Sequence, residues 1–378
     1  MDILSSLWNN IVPFLVVLTV LVFVHELGHY WVARRNGVKV EVFSIGFGPE
    51  IFGWNDKAGT RWKFSAIPLG GYVKMFGEYD FEDAEPTEGE NRPKSPEEET
   101  YSFHHKRLGQ RAAIVFAGPA ANFIFAIVVF ALVFTLVGNP TPKAGVGQVV
   151  PESAAAEAGF QSGDTIISID GKRIEWFDEL REIVSGKPGV TLSFEVMRAD
   201  KMLVLQATPK LRSVTGPDGA TIEVGQLGVG VDPEQVGFVS VDVLTAAWMG
   251  IERTYGMTAQ ILGYLGEMIS GSRDTKELGG PIRIAQMSGQ MAEGGIVNLI
   301  IFMAALSINL GLINLFPIPM LDGGHLLFYA AEAIRGRPLT ARAQEYSFRL
   351  GLFLVLLIMV FATWNDLMQI EFIQNLVN

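Results

Sequence analysis

Four apolar runs divide this chain, and each is long enough, or nearly so, to cross a bilayer core as a helix, which takes about 20 residues. They cover residues 8 to 30, 112 to 137, 298 to 316 and 348 to 364. Backbone in hydrocarbon has to satisfy its own hydrogen bonds, so such runs fold as helices and the chain as a polytopic α-helical membrane protein. Composition agrees: 49% of the 378 residues are hydrophobic and 18% charged, against roughly 25% charged in an ordinary globular protein. The net charge of −11 says little about partners, because the acidic residues crowd between Glu78 and Glu99. No basic stripe offers itself to nucleic acid. Cysteine is absent, which excludes disulfides, cysteine-ligated zinc and thiol catalysis.

Lys and Arg flanking the runs give an orientation. Arg34, Arg35 and Lys39 follow the first run, Lys106, Arg107 and Arg111 precede the second, and Arg335, Arg337, Arg342 and Arg349 lie between the third and fourth. The positive-inside rule therefore puts both termini outside, both basic loops in the cytoplasm, and residues 138 to 297 on the outer side. The first run has no basic leader and no small-residue cleavage site after it, so a retained transmembrane helix is expected rather than a signal peptide.

That first run ends in His25-Glu26-Leu27-Gly28-His29. On a helix, His25 and His29 are four residues apart and project from one face, where both can ligate a single Zn²⁺. Glu26 lies about 100° round the helix, within reach of a water held by the metal and free to act as its base. A catalytic zinc normally has a third protein ligand. The third run ends on the same side of the membrane and is followed by Asn314-Leu315-Phe316-Pro317-Ile318-Pro319-Met320-Leu321-Asp322-Gly323-Gly324-His325. Asp322 is an acid in an uncharged stretch at membrane depth, where carboxylates are costly unless paired or metal-bound. The competing readings are a helix cap for Asp322 and His325 as the ligand. Pro317 and Pro319 interrupt helical backbone, which at this depth implies a wet cavity or burial in protein.

The remaining chain organises around these runs. Residues 1–37 carry the motif helix, and residues 38–77 read as a small membrane-associated β-sheet. Its short runs Val40 to Ile45, Arg61 to Ile67 and Tyr72 to Phe76 alternate with the turn signals Gly46-Phe47-Gly48-Pro49 and Pro68-Leu69-Gly70-Gly71. Residues 78–111 form an acidic loop expected to be mobile from Glu78 to Thr100, and 112–137 the second span. Residues 143–210 read as an inserted α+β domain whose Ala158-Gly159-Phe160 to Asp170-Gly171 stretch resembles a bacterial PDZ domain, a fold that binds peptide ends by strand addition. Residues 211–297 add strands and amphipathic helices, 298–316 the third span, 317–347 the Leu-Asp-Gly motif and a cytoplasmic loop, 348–364 the fourth span and 365–378 a tail.

Taken together, HELGH in the first span, NLFPIPMLDGGH after a later one, the GFGP, IPLGGYVKM, AGPAANF and GGPIRIA stretches, and a PDZ-like insert closely resemble the site-2 protease family of intramembrane zinc metalloproteases, nearest to the bacterial regulator-of-sigma-E branch. The likeness covers nearly the whole chain and departs in the middle, where some members carry two PDZ domains and this chain has room for one. It implies a Zn²⁺ cofactor, an inner-membrane location, and hydrolysis within single-span substrates of the anti-sigma-factor type or remnant signal peptides. It also implies substrate contacts at Asn309 and Asn314, with Pro317 and Pro319 beside them, interhelical hydrogen bonding being the other reading of the two asparagines; the sheet near Gly46, Phe47 and Gly48 could separately take up an unwound substrate as an added strand. Two other readings stay open on the residues alone: a non-catalytic PDZ-bearing membrane scaffold, and a metal or proton transporter.

Overall fold

The computed structural model describes residues 3–78, 95–215, 221–232, 235–272 and 279–369. The chain divides into two compact units, Met1–Leu132 with Leu244–Asn378, and Val133–Val243. In the first unit α1 (Ile3–Arg35) leads into β1 (Val40–Asn55) and β2 (Arg61–Met75), then α2 (Pro96–Glu99) and α3 (Leu108–Leu136). Among the described residues, four helical stretches are long and apolar enough to cross a membrane: Trp8–Arg35, Leu108–Leu136, Ile296–Asn314 and Arg342–Met368. The expected mobile stretch from Glu78 to Thr100 falls mostly outside the described residues; its end carries the short helix α2, capped by Ser95.

α1 and α3 cross closely because two glycines meet at the crossing. A Cβ on Gly28 would collide with the Ala117 carbonyl, and one on Gly118 with the ring of His29. Small residues let apolar helices approach where no hydrophobic difference between protein and lipid can press them together. β1 and β2 form one sheet that lies against α1 through an aromatic cluster. Phe43 stacks on Trp62 at 4.2 Å between centroids, and Tyr30 packs edge-on to both.

The sequence suggested three short strands separated by turns, whereas the structure has two long ones that bend. Gly46 (φ +89°), Gly48 (φ +87°) and Gly70 (φ +117°) supply the bends in a backbone region that other residues avoid. Residues 42–45 consequently pair with 71–74 on one side and 61–64 on the other, and 52–55 pair with 61–64 beyond. Gly71–Met75 is left as an outer edge of this sheet. Asp56 fastens the tip of the sheet to the helix: its Oδ2 accepts from Tyr30 Oη (2.9 Å) and Trp62 Nε1 (3.0 Å), and its Oδ1 from the amides of Ala58 and Thr60 (2.8 and 2.9 Å).

The second unit contains β3 (Asn139–Pro142), β4 (Val146–Val149), α4 (Ala154–Ala158), β5 (Thr165–Ile169), β6 (Lys172–Arg173), α5 (Phe177–Ser185), β7 (Leu192–Arg198), β8 (Lys201–Ala207), β9 (Lys210–Thr215), β10 (Thr221–Gln226), β11 (Val229–Val231) and β12 (Val236–Val239). Its main sheet runs β6-β5-β7-β8 over a core of Phe160, Ile166, Ile169, Phe177, Leu180, Leu192, Phe194 and Val196. The expected bounds of 143–210 fall short of this unit. β4 pairs with β11 and β3 with β12, so Val229–Val231 and Val236–Val239 return to give the early strands their partners. Asp164, in the Gly163-Asp164 turn, is fully buried and holds the Arg198 guanidinium through two contacts of 2.6 and 2.7 Å.

The chain re-enters the first unit as α6 (Val243–Ile269), α7 (Pro281–Glu293), α8 (Ile296–Asn314), α9 (Asp322–Arg335) and α10 (Ala341–Met368). α6 buries its small residues Ala246, Gly250 and Thr254, with Gly250 against the backbone of Ile127 and Ala131 on α3, and exposes Leu244, Trp248 and Tyr255. Asp366 of α10 accepts from the amides of Gly280 and Arg283 at the start of α7 (2.8 and 3.0 Å). α9 occupies a stretch expected to be loop; its Asp-Gly-Gly start needs the two glycines, since Cβ atoms there would strike the backbone of Leu315 to Pro319.

Two outcomes test these anchors. Burial pushes the Asp56 carboxyl up, but hydrogen bonds from Trp62, Thr60, Tyr30 and Ala58 outweigh it and hold the group below its usual range. A depressed carboxylate stabilises above its unfolded pKa, about 4, and loses that contribution as pH falls through the folded value. Amide exchange at Ala58 and Thr60, corrected for intrinsic rates, is therefore expected to quicken at acid pH in the wild type and already at neutral pH in Asp56→Asn. Separately, Arg198→Ala takes the charged partner from the buried Asp164 carboxylate and leaves it the Gln161 amide, and about 3 kcal/mol of exchange protection should be lost from β5 and β7 of the intact protein.

Candidate metal centre

His25 and His29 are both buried on α1, one turn apart, and α9 brings Asp322 to them from the far end of the chain. Asp322 Oδ2 lies 3.1 Å from His25 Nε2, Asp322 Oδ1 lies 3.5 Å from His29 Nε2, and the two Nε2 atoms are 3.2 Å apart. Among the described residues these three form the group able to hold a metal ion. Ligands about 2.0 Å from a tetrahedral zinc stand roughly 3.3 Å from one another, so the spacing fits. The chemistry of the donor set fits as well. Two imidazole nitrogens facing each other and a carboxylate oxygen have more lone pairs than hydrogens between them, and Asp322 Oδ2 is buried with no hydrogen-bond donor.

The outer ring nitrogens are also held. His29 Nδ1 donates to the Ile114 carbonyl on α3 at 2.9 Å, which leaves Nε2 as the lone-pair atom facing the triangle. His25 Nδ1 lies 3.1 Å from the side-chain amide of Asn122, also on α3 and fully buried. Ser307 on α8 donates to the Asn122 backbone carbonyl at 2.9 Å, so three helices meet at this point.

The three groups open onto a cavity of about 270 Å³ lined also by Glu26, Gly71, Tyr72, Val73, Asn314 and His325. The Glu26 carboxylate faces the Val73 backbone across the cavity, which sets the candidate base beside the outer edge of the sheet. Asp322 is carried by the first turn of α9, and near the other end of that helix Glu332 pairs with Arg111 of α3 at 2.6 Å. Just before Asp322, Met320 has φ +92°, a conformation that costs a residue with a side chain roughly 1–3 kcal/mol.

Asn314 thus joins the candidate ligands and base at the cavity, and so does His325, whose ring also packs near Phe348. Asn309, Pro317, Pro319, Gly46, Phe47 and Gly48 are not among its lining residues. Phe47 stacks on Tyr72, which is. The residues that sequence reasoning left out are Asn122, Gly118 and the edge Gly71–Val73; the first two lie in or beside AGPAANF, a stretch noticed only for its family likeness.

Residues 13–358 match the sequence model of Peptidase family M50. The chain belongs to that family. A protein of Rhizobium meliloti (strain 1021), named provisionally as a zinc metalloprotease, is 45% identical over 97% of this chain and 98% of its own length. Metalloprotease MmpA of Caulobacter vibrioides is 38% identical over 94% and 95%. The regulator of sigma-E protease RseP of Salmonella typhimurium is 33% identical over 96% and 99%, in an alignment of 458 positions, so that relative holds a segment without counterpart in these 378 residues. A solved PDZ domain from Listeria monocytogenes matches 24% of this chain and 87% of that structure at 22% identity, with a TM-score of 0.19. As a member of family M50 the chain is a zinc metalloprotease.

Crowding at the α1–α3 crossing gives a direct test of the site. Gly118→Ala puts a methyl group where the His29 ring stands, and zinc per protein after gel filtration is expected to fall well below that of the wild type. A control substitution at Gly109, which has open space around it, should leave zinc content unchanged.

Proposed function

We propose that this metalloprotease hydrolyses peptide bonds inside the membrane, within single-span protein substrates of the anti-sigma-factor type and remnant signal peptides. The observation that carries the reading is the meeting of His25, His29 and Asp322 beside Glu26 at one end of helices long and apolar enough to span a bilayer. His25 and His29 through Nε2 and Asp322 through its carboxylate are the proposed zinc ligands. When bound, zinc supplies Lewis acidity to the scissile carbonyl and to the attacking water. Glu26 takes the proton of that water and delivers it to the leaving amine.

A helical substrate has its amides already hydrogen-bonded, so it must be unwound before attack. The outer edge Gly71–Met75 is the sheet segment beside the cavity and can receive an extended segment by strand addition, with Asn314 as a further polar contact. Gly46, Phe47 and Gly48 act one step removed, by bending β1 and buttressing Tyr72. Asn309, Pro317 and Pro319 are assigned to shaping α8 and its exit rather than to contact. In the second unit, a groove of about 340 Å³ between α5 and β11, lined by Phe177, Leu180, Val184 and Gly228 to Val231, is the proposed seat for a peptide end. The charge bias supports four spans in the inner membrane, with both termini and the PDZ-like unit outside and the metal centre towards the cytoplasm.

Purified wild type, Glu26→Gln and Asp322→Ala separate this reading from a scaffold or transporter. Glu26→Gln should retain one zinc per chain and lose cleavage of a model single-span substrate by at least about 100-fold. Asp322→Ala should lose both zinc and cleavage. Cleavage surviving in Glu26→Gln would overturn the mechanism, and full zinc content in Asp322→Ala the ligand set.

A further inference from the structure

We infer that Asn122 is a positioning residue that selects the metal-binding tautomer of His25 by accepting a hydrogen bond from Nδ1–H; this rests on the ligand set proposed above. His25 Nε2 is the atom that faces Asp322 Oδ2 and His29 Nε2, and to bind a metal it must carry a lone pair. A neutral imidazole has one N–H, so the hydrogen sits on Nδ1 and needs an acceptor in a buried site. The group within reach of Nδ1 is the Asn122 amide, whose Nδ2 stands 3.1 Å away.

An amide offers two faces. With its Nδ2 turned to the ring, Asn122 would donate to Nδ1, forcing the hydrogen onto Nε2 and blocking the ligand position. That orientation also strands Asn122 Oδ1, buried with no partner, at a cost of about 1–3 kcal/mol. A half-turn of the amide, which exchanges two atoms of nearly equal size, lets Oδ1 accept from Nδ1–H and leaves Nε2 free. His29 needs no such choice, because its Nδ1 donates to the Ile114 backbone carbonyl, which can only accept. The two ligand histidines are therefore held differently, one by the main chain and one by a replaceable side chain that can point either way.

The amide has no freedom to leave. Asn122 is fully buried, its backbone carbonyl receives the Ser307 hydroxyl, and α8 passes so near that a Cβ added at Gly311 would press on the Asn122 Cβ. The side chain can rotate about its last bond and little else. Partners on the outer nitrogen of a ligand histidine typically change metal affinity 10- to 100-fold.

The test measures zinc dissociation constants by competition with a chromogenic chelator, on purified full-length wild type, Asn122→Leu, Asn122→Asp, Ser307→Ala and His25→Ala. Asp is close in shape to Asn and its carboxylate can only accept, so Asn122→Asp should bind zinc at least as tightly as the wild type. Asn122→Leu should bind about 10- to 100-fold more weakly, and Ser307→Ala within about threefold of the wild type. Histidine-selective ¹⁵N spectra of the zinc-loaded protein should show the Nδ1–H tautomer at His25 in the wild type and in Asn122→Asp. If Asn122→Leu does not yield folded protein, Asn122→Ala carries the same expectation. Wild-type affinity in Asn122→Leu, or equal weakening in Asn122→Leu and Asn122→Asp, overturns the role of Asn122. Undiminished zinc binding by His25→Ala instead overturns the ligand set and leaves the tautomer argument without an object.

Discussion

Where α1 crosses α3, neither helix has room for a side chain. Gly28 lies against the Ala117 backbone and Gly118 against the His29 ring, and everything chemical about the site is downstream of that approach. It brings the Ile114 carbonyl within 2.9 Å of His29 Nδ1 and the Asn122 amide within 3.1 Å of His25 Nδ1. A helix pair at ordinary separation, about 8–10 Å between axes, would leave those outer nitrogens without protein partners. In an apolar surrounding, where an unpaired polar group is costly, two histidines on one helix face would then have little reason to keep one orientation.

The sheet depends on the same helix from its other side. Tyr30 follows His29 directly, and its ring and hydroxyl carry Phe43, Trp62 and Asp56. The bends at Gly46, Gly48 and Gly70 then fold two strands back so that Gly71–Val73 runs past Glu26. Ligand residues and the strand edge are set by consecutive residues of one helix, which couples where the metal centre stands to where an extended peptide can lie.

Much of this was legible in the sequence for reasons that are physical. The apolar runs stood out because a bilayer demands about 20 residues without charge, and HExxH because two histidines four apart share a face. Asp322 stood out as an acid with no visible partner in an uncharged stretch. The same one-dimensional view missed what arises only from contact between distant segments. Asn122 looks like any polar residue in an apolar helix until His25 is beside it. The glycines of β1 and β2 read as chain reversals, because positive φ serves a turn or a bend equally well. The return of β11 and β12 to pair with β4 and β3 is a long-range pairing that no local pattern announces, and α9 was hidden because its Asp-Gly-Gly start resembles a loop.

The link between Arg111 and Glu332 has a mechanical meaning. Asp322 opens α9 and Glu332 lies ten residues on, about 15 Å along the axis at 1.5 Å per residue. One end is pinned by glycines pressed on the Leu315 to Pro319 backbone, the other by an ion pair to the foot of α3. A short helix clamped at both ends behaves as a strut: it resists bending, and the carboxylate at its tip moves only with the bodies to which the strut is fixed. The third donor of the centre thereby inherits the stiffness of the helix pair that carries the other two.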